Sequence, residues 1–181
     1  MKLLTKISVT MMLIAGMISC DSGTSLQEYY VQSQERSDFL SLDIPASILK
    51  IEEVELSPEQ REAYESVHKL NILAYKTNPD NTVDFEAEKS KVYDILSGTD
   101  YQELMRINAN GNSGVVKYIG SDDAVDEVII FGSNDTLGFA LVRVLGDDMK
   151  PANMMKLMEV VQKGNINGEG LGQLKNFFDK N

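Results

Sequence analysis

From Tyr101 to Gly146 apolar and polar side chains alternate with a period of two, sustained over 46 residues. Alternate residues of an extended chain point to opposite faces, so four strands are predicted: Tyr101–Ala109, Gly114–Gly120, Val125–Gly132 and Leu137–Gly146. Their connections are Asn110-Gly111-Asn112-Ser113, Ser121-Asp122-Asp123 and Ser133-Asn134-Asp135-Thr136. All three carry turn chemistry and are short enough to make adjacent strands antiparallel, a four-strand meander. Upstream, Leu40, Leu42 and Ile44 alternate with Ser41 and Asp43 in one strand ended by Pro45, and Lys69–Lys76 reads as a second.

Helical spacing fills the remainder. Ile48, Leu49 and Ile51 mark a short helix within Ala46–Val54. Ser57, Pro58 and Gln60 form a helix start with a cap, a first-turn proline and a capping-box partner, leading to about Val67 with Ala63 and Tyr64 inward. After the turn Thr77–Asn81, Asp84 is placed to cap a helix whose Phe85, Val92, Ile95 and Leu96 share a face, with Gly98 ending it. Beyond the meander come a Met-rich helix, Pro151–Lys163, a Gly- and Asn-rich break at Gly164–Gly168, and a terminal helix carrying Leu171, Leu174, Phe177 and Phe178. The expected architecture is α+β, a single mixed, mostly antiparallel sheet of about six strands with helices packed largely on one face. The helix between the first two strands permits a right-handed parallel crossover there.

The N-terminal pattern differs from all of this. Lys2 and Lys6 precede an uncharged, mostly apolar run of 12 residues, Ile7–Ile18, which ends at Ser19 and Cys20, the only cysteine. That is the layout of a secretory signal peptide, and it is shorter than the roughly 20 residues a membrane-spanning helix needs. Met17-Ile18-Ser19-Cys20 resembles a bacterial lipobox, where cleavage leaves a diacylglycerol-modified cysteine. The expected organisation is a signal peptide over residues 1–19, a lipid-anchored tether over 20–36 ending in a short frayed helix around Leu26, Tyr29, Tyr30 and Val31, and one domain over 37–181. The membrane is then a partner, reached through lipid on Cys20.

Composition narrows the partners. The formal charge is −11, and the two lysines of the leader add nothing to the mature chain, which argues against nucleic acid as a partner and against close contact with an anionic membrane surface. With Cys20 modified no disulfide can form, so packing alone must hold the domain.

The blocks Tyr101–Ile107, Glu127–Ile130 and Val142–Asp147, together with Asp43-Ile44-Pro45 after the lipobox, resemble the domain of unknown function 4252. This is a family of small lipoproteins found mainly in Bacteroidetes-type bacteria. The resemblance implies a Gram-negative envelope and, through members encoded near extracytoplasmic-function sigma factors, a link to envelope stress. It brings no catalytic residue with it.

No residue constellation points to chemistry. His68 is the only histidine and has no Cys or second His at ligand spacing. Asn78–Asp84 spaces oxygen side chains like a calcium loop but lacks the glycine at position six and has Lys89 where the closing Glu belongs, so a turn into a helix cap is expected. Asp122-Asp123 and Asp147-Asp148 read as turn and cap residues, and Gly168–Gly172 as a flexible linker. Met154, Met155 and Met158 are a possible interaction face, although helical spacing favours the core. No metal, cofactor or enzymatic activity is expected. The expectation is an extracytoplasmic envelope lipoprotein, with the outer membrane favoured, acting as a non-enzymatic interaction or accessory domain with an envelope protein partner. The alternative is a small-ligand or lipid-binding module with a pocket between the sheet and the Met-rich helix.

Overall fold

The computed structural model describes residues 23–48, 55–109, 111–121, 123–162 and 169–179. The signal peptide and Cys20 lie outside the described residues, as do residues 49–54 of the short helix expected after Pro45. Ser25 opens helix α1 (Leu26–Gln34), its hydroxyl accepting the Glu28 N–H. Strand β1 (Phe39–Pro45) then closes into a single 3-10 turn, Ala46–Ile48. The capping box forms as its spacing predicts: Ser57 Oγ accepts the Gln60 N–H, the Gln60 side chain accepts the Ser57 N–H, and Pro58 starts α2 (Pro58–Ser66). That helix runs without a loop into β2 (Val67–Lys76). Asn81 takes the N-cap position of helix α3 (Thr82–Leu96) without a side-chain capping bond, and Asp84 falls in the first turn instead of at the cap. The meander strands are β3 (Gln102–Ala109), β4 (Asn112–Gly120), β5 (Val125–Asn134) and β6 (Gly138–Met149), followed by α4 (Pro151–Gln162) and α5 (Glu169–Asp179). Glu169, Gly170 and Gly172, expected in a linker, are helical.

The six strands form one sheet in the order β1-β2-β6-β5-β4-β3. It is the expected α+β domain with a C-terminal meander, and every pairing is antiparallel. The parallel crossover that a helix between β1 and β2 permits is not used. Pro45 at the end of β1 pairs with Lys69 near the start of β2, so β2 begins beside the end of β1 and runs antiparallel to it.

The helices divide between the two faces instead of lying largely on one. One face gathers Ile44, Ile72, Val116, Val128 and Val144 under Ala63 of α2 and Met154 and Leu157 of α4. The other gathers Phe39, Leu73, Tyr75, Ile129, Phe131, Phe139 and Leu141 under α1 and α3. Residues adjacent in sequence, such as Ile72 and Leu73 or Val128 and Ile129, thus enter opposite cores, as the strand repeat requires. Rings crowd the second core: Phe39 meets Tyr75 edge-on at 4.9 Å, and Tyr75 stacks on Phe139 at 5.5 Å.

The boundary near Ser37 also moves. Leu26, Tyr29 and Tyr30, expected in the tether, are at most 6% exposed and belong to the second core. The Tyr30 hydroxyl donates to the carbonyls of Asn71 and Leu141, at 2.9 and 2.6 Å, which ties α1 to the neighbouring strands β2 and β6.

Candidate functional site

On the first face, the registers align residues of successive strands into rows. One row runs Met105, Val116, Ile130, Val142, Ile72 from β3 to β2, and all are bulky. The next row runs Ile107, Gly114, Gly132, Ala140, Ala74. Four small residues side by side lower the floor of the sheet there. A Cβ added to Gly132 would meet nothing within 4 Å, whereas one on Gly114 would come to 3.1 Å of the Phe131 carbonyl oxygen. The space above this floor is walled by Tyr64 of α2, Met154 and Leu157 of α4, and Leu174 and Phe178 of α5, giving an apolar groove of about 590 Å³. That volume lies within the range of about 300–1,000 Å³ that small-molecule sites occupy.

The third row, Asn112, Asn134 and Gly138, closes one end of the groove with amides; Asn134 Nδ2 donates to Asn112 Oδ1 at 2.9 Å. Among the described residues no Asp, Glu, Lys, Arg or His side chain lines the groove. Ser113 and Ser133 contribute from the strands but face the other way: Ser113 Oγ accepts from Tyr93 of α3 at 3.2 Å, and Ser133 is its cross-strand neighbour. The buried Ser133 Oγ has no hydrogen-bond partner among the described residues. Ile107 and Leu137 stand at the rim, 45% and 50% exposed. The described lining is apolar apart from the strand serines and the amides at one end.

The buried carboxylates among the described residues, Glu88 and Glu127, lie on the opposite face. Arg143 holds Glu127 through two hydrogen bonds of 2.6 and 2.8 Å and lies over the Tyr30 ring. Glu88 is buried and accepts from Arg36 at 2.8 Å, Tyr29 at 2.9 Å and Lys91 at 3.0 Å. Burial pushes the Glu88 carboxyl upward, but the bonds from Arg36, Lys91 and Tyr29 outweigh it and hold the group below its ordinary value of 4.5. Burial raises the Tyr29 phenol far enough to keep it a donor at any physiological pH. These groups fasten α1 to the sheet and to α3.

A depressed folded-state carboxyl binds its proton less readily than the unfolded chain does. The stabilisation from Glu88 is therefore fully present above about pH 4.5 and fades as pH falls through the lower folded value. Glu88→Gln is expected to cost about 1–3 kcal/mol at pH 7, the lower end if the half-exposed Arg36 rehydrates. Its urea midpoint should change less than wild type's between pH 6 and pH 3; equal slopes would remove Glu88 from the acid sensitivity.

The structure places the residues singled out from sequence as follows. Met154 is buried in the first core, Met155 is half-buried, and the Met158 side chain lies outside the described residues. Helical spacing thus identified Met154 correctly as a core residue, and that same side chain walls the groove. His68 is exposed, its Nε2 2.8 Å from Asp147 Oδ2 on β6, a surface pair. Asn78 and Asn81 spend their oxygens on the turn: Asn78 Oδ1 accepts from Asp80 and Asn81, and Asn81 Oδ1 from Asn78. Asp122 lies outside the described residues, while Asp147 and Asp148 fall within β6. Among the described residues no group of three or more His, Cys, Asp or Glu is placed to hold a metal ion. No helix among them is long and apolar enough to cross a membrane. Gly114, Gly132 and Ala140 were missed; a glycine at like positions of neighbouring strands was the available signal.

The fold and groove define an α+β domain with one open antiparallel sheet and an apolar site between that sheet and its helices. The chain belongs to the family described as a domain of unknown function (DUF4252), whose match covers residues 29–157, from α1 through all six strands into α4. No curated protein and no solved structure matches the chain.

Proposed function

We propose that this chain is a non-enzymatic binding module of the bacterial cell envelope, tethered to a membrane by lipid on Cys20, and that the groove over Gly114, Gly132 and Ala140 receives a lipid-like ligand. The groove carries the reading. An apolar cleft of about 590 Å³ under Met154, Leu157, Leu174 and Phe178 leaves apolar walls facing water unless something fills it. The lipobox-like stretch Met17–Cys20 supports the tether, with the outer membrane as the favoured site. Envelope stress, as the family context implies, would be one setting in which such a module is used.

Two measurements test this. Cys20→Ser is expected to abolish incorporation of a clickable fatty acid; equal labelling of both proteins would remove the anchor. Gly132→Leu should fill the groove without strain, because its Cβ enters open space, and should weaken binding of the uncharged apolar dye Nile red about ten-fold or more. If the folded variant binds the dye as wild type does, the groove is not the site, and the exposed rim residues Ile107 and Leu137 become the basis of a protein–protein contact instead.

A further inference from the structure

We infer that the ligand is a single-chain amphiphile with an uncharged polar head, such as an acyl ester or an acyl alcohol, and that fatty-acid anions are discriminated against; this rests on the groove being a lipid site. Three observations carry it. Among the described residues the lining contains no cation: walls and floor are Tyr, Leu, Val, Ile, Met, Phe, Ala and Gly with the strand residues Ser113 and Ser133, and the amides Asn112 and Asn134 stand at one end. A carboxylate drawn in behind its chain would lose hydration with no charged partner to replace it. The chain as a whole is acidic, at −11, so the surrounding field also repels anions. The one cation in the cross-strand row that ends the groove is Lys76, which pairs with Gly138 on the side away from Asn134 and is not among the lining residues.

The polar contacts are of the kind a hydroxyl or ester uses. Asn134 Oδ1 is committed to its own turn, accepting the N–H groups of Thr136 and Leu137 and the Thr136 hydroxyl, while Nδ2 bridges to Asn112 Oδ1. A neutral head can join this amide pair by exchanging hydrogen bonds. The groove runs along the strands from the Val128–Val144 pair, past Ile130–Val142 and the low Gly132–Ala140 floor, to the amide end. One chain lies along it with its tail under Leu157 and Phe178.

The experiment is displacement of Nile red from the full chain by two ligands sharing one chain, monododecanoylglycerol and dodecanoate, at pH 8.5. The glycerol ester should displace the dye at concentrations about ten-fold or more below those needed for dodecanoate, the gap expected when a charge is desolvated without a partner. Asn112→Lys should narrow that gap by strengthening dodecanoate binding, and Gly132→Leu should weaken both ligands. Equal or tighter binding of dodecanoate to wild type overturns the uncharged-head inference and leaves the lipid groove standing. Failure of both ligands and the dye to bind wild type, or binding unaltered by Gly132→Leu in a folded variant, overturns the groove reading and this inference with it.

Discussion

A fragment beginning at residue 37 is expected to lose cooperative folding, whereas one beginning at residue 23 keeps it. Removing α1 takes Leu26, Tyr29 and Tyr30 out of the second core. At about 1.5–3 kcal/mol for each fully buried large side chain, their loss alone approaches the 5–15 kcal/mol that hold a typical domain. It also deprives Glu88 of Arg36 and Tyr29, leaving it the Lys91 ammonium, and opens the core that Leu73, Ile129 and Leu141 share with α1. Single changes should rank accordingly. Tyr30→Phe keeps the ring and loses the bonds to the Asn71 and Leu141 carbonyls, costing about 1–2 kcal/mol. Tyr30→Ala adds a cavity and should cost about 3–5 kcal/mol. Urea unfolding of the two fragments decides the matter: a midpoint for 37–181 indistinguishable from that of 23–181 would make α1 an ornament on a finished core.

The reason α1 read as a frayed tether lies in its residues. Leu26, Tyr29 and Tyr30 sit among Ser, Gln and Glu, and a tyrosine is equally at home half-exposed on a polar helix. What buries Tyr30 is a pair of carbonyls on β2 and β6, more than forty positions away in each case. Such partners exist only once the sheet is assembled. The meander, by contrast, was legible because local turn chemistry and a two-residue period agree along one continuous stretch. The capping box at Ser57 was legible for the same reason, as both partners lie within four residues.

The two-sided sheet was written in the chain but obscured by its surroundings. Asn71-Ile72-Leu73-Ala74-Tyr75 is buried at every position, and Val128-Ile129-Ile130-Phe131 is apolar throughout. Unbroken apolar runs mark strands covered on both faces, while alternation marks strands covered on one. The alternating edge strand β1 and the polar flanks of the other strands drew the reading toward a single covered face. The groove was legible least of all. Gly114 and Gly132 become neighbours only when β4 and β5 pair in this register, and a slip of one residue would put them on opposite faces. The cavity is thus a property of register, which turn lengths narrow but do not determine.

Glycine substitutions in one sheet should show this dependence as opposite signs for the same chemical change. Gly138 opens β6 at φ +120°, in a region that side chains rarely adopt, and pairs with both Asn134 and Lys76. A Cβ there would press on the Tyr75 carbonyl oxygen and lie 2.9 Å from the Thr77 nitrogen and 3.0 Å from the Lys76 Cα. All three are backbone atoms of the β2 end, held by the ladder, so none can yield without breaking pairing. Gly138→Ala is therefore expected to cost about 3–5 kcal/mol, combining backbone strain with the clash. Gly132 has an unexceptional φ and open space at its Cβ, so Gly132→Ala should stabilise by about 0.5–1 kcal/mol through reduced freedom of the unfolded chain. Paired urea titrations of the two variants read the difference directly. If both destabilise alike, Gly132 is needed for strand geometry and the low floor is a packing requirement; if Gly132→Ala gains stability, the groove exists at the expense of stability, as a site retained for binding would.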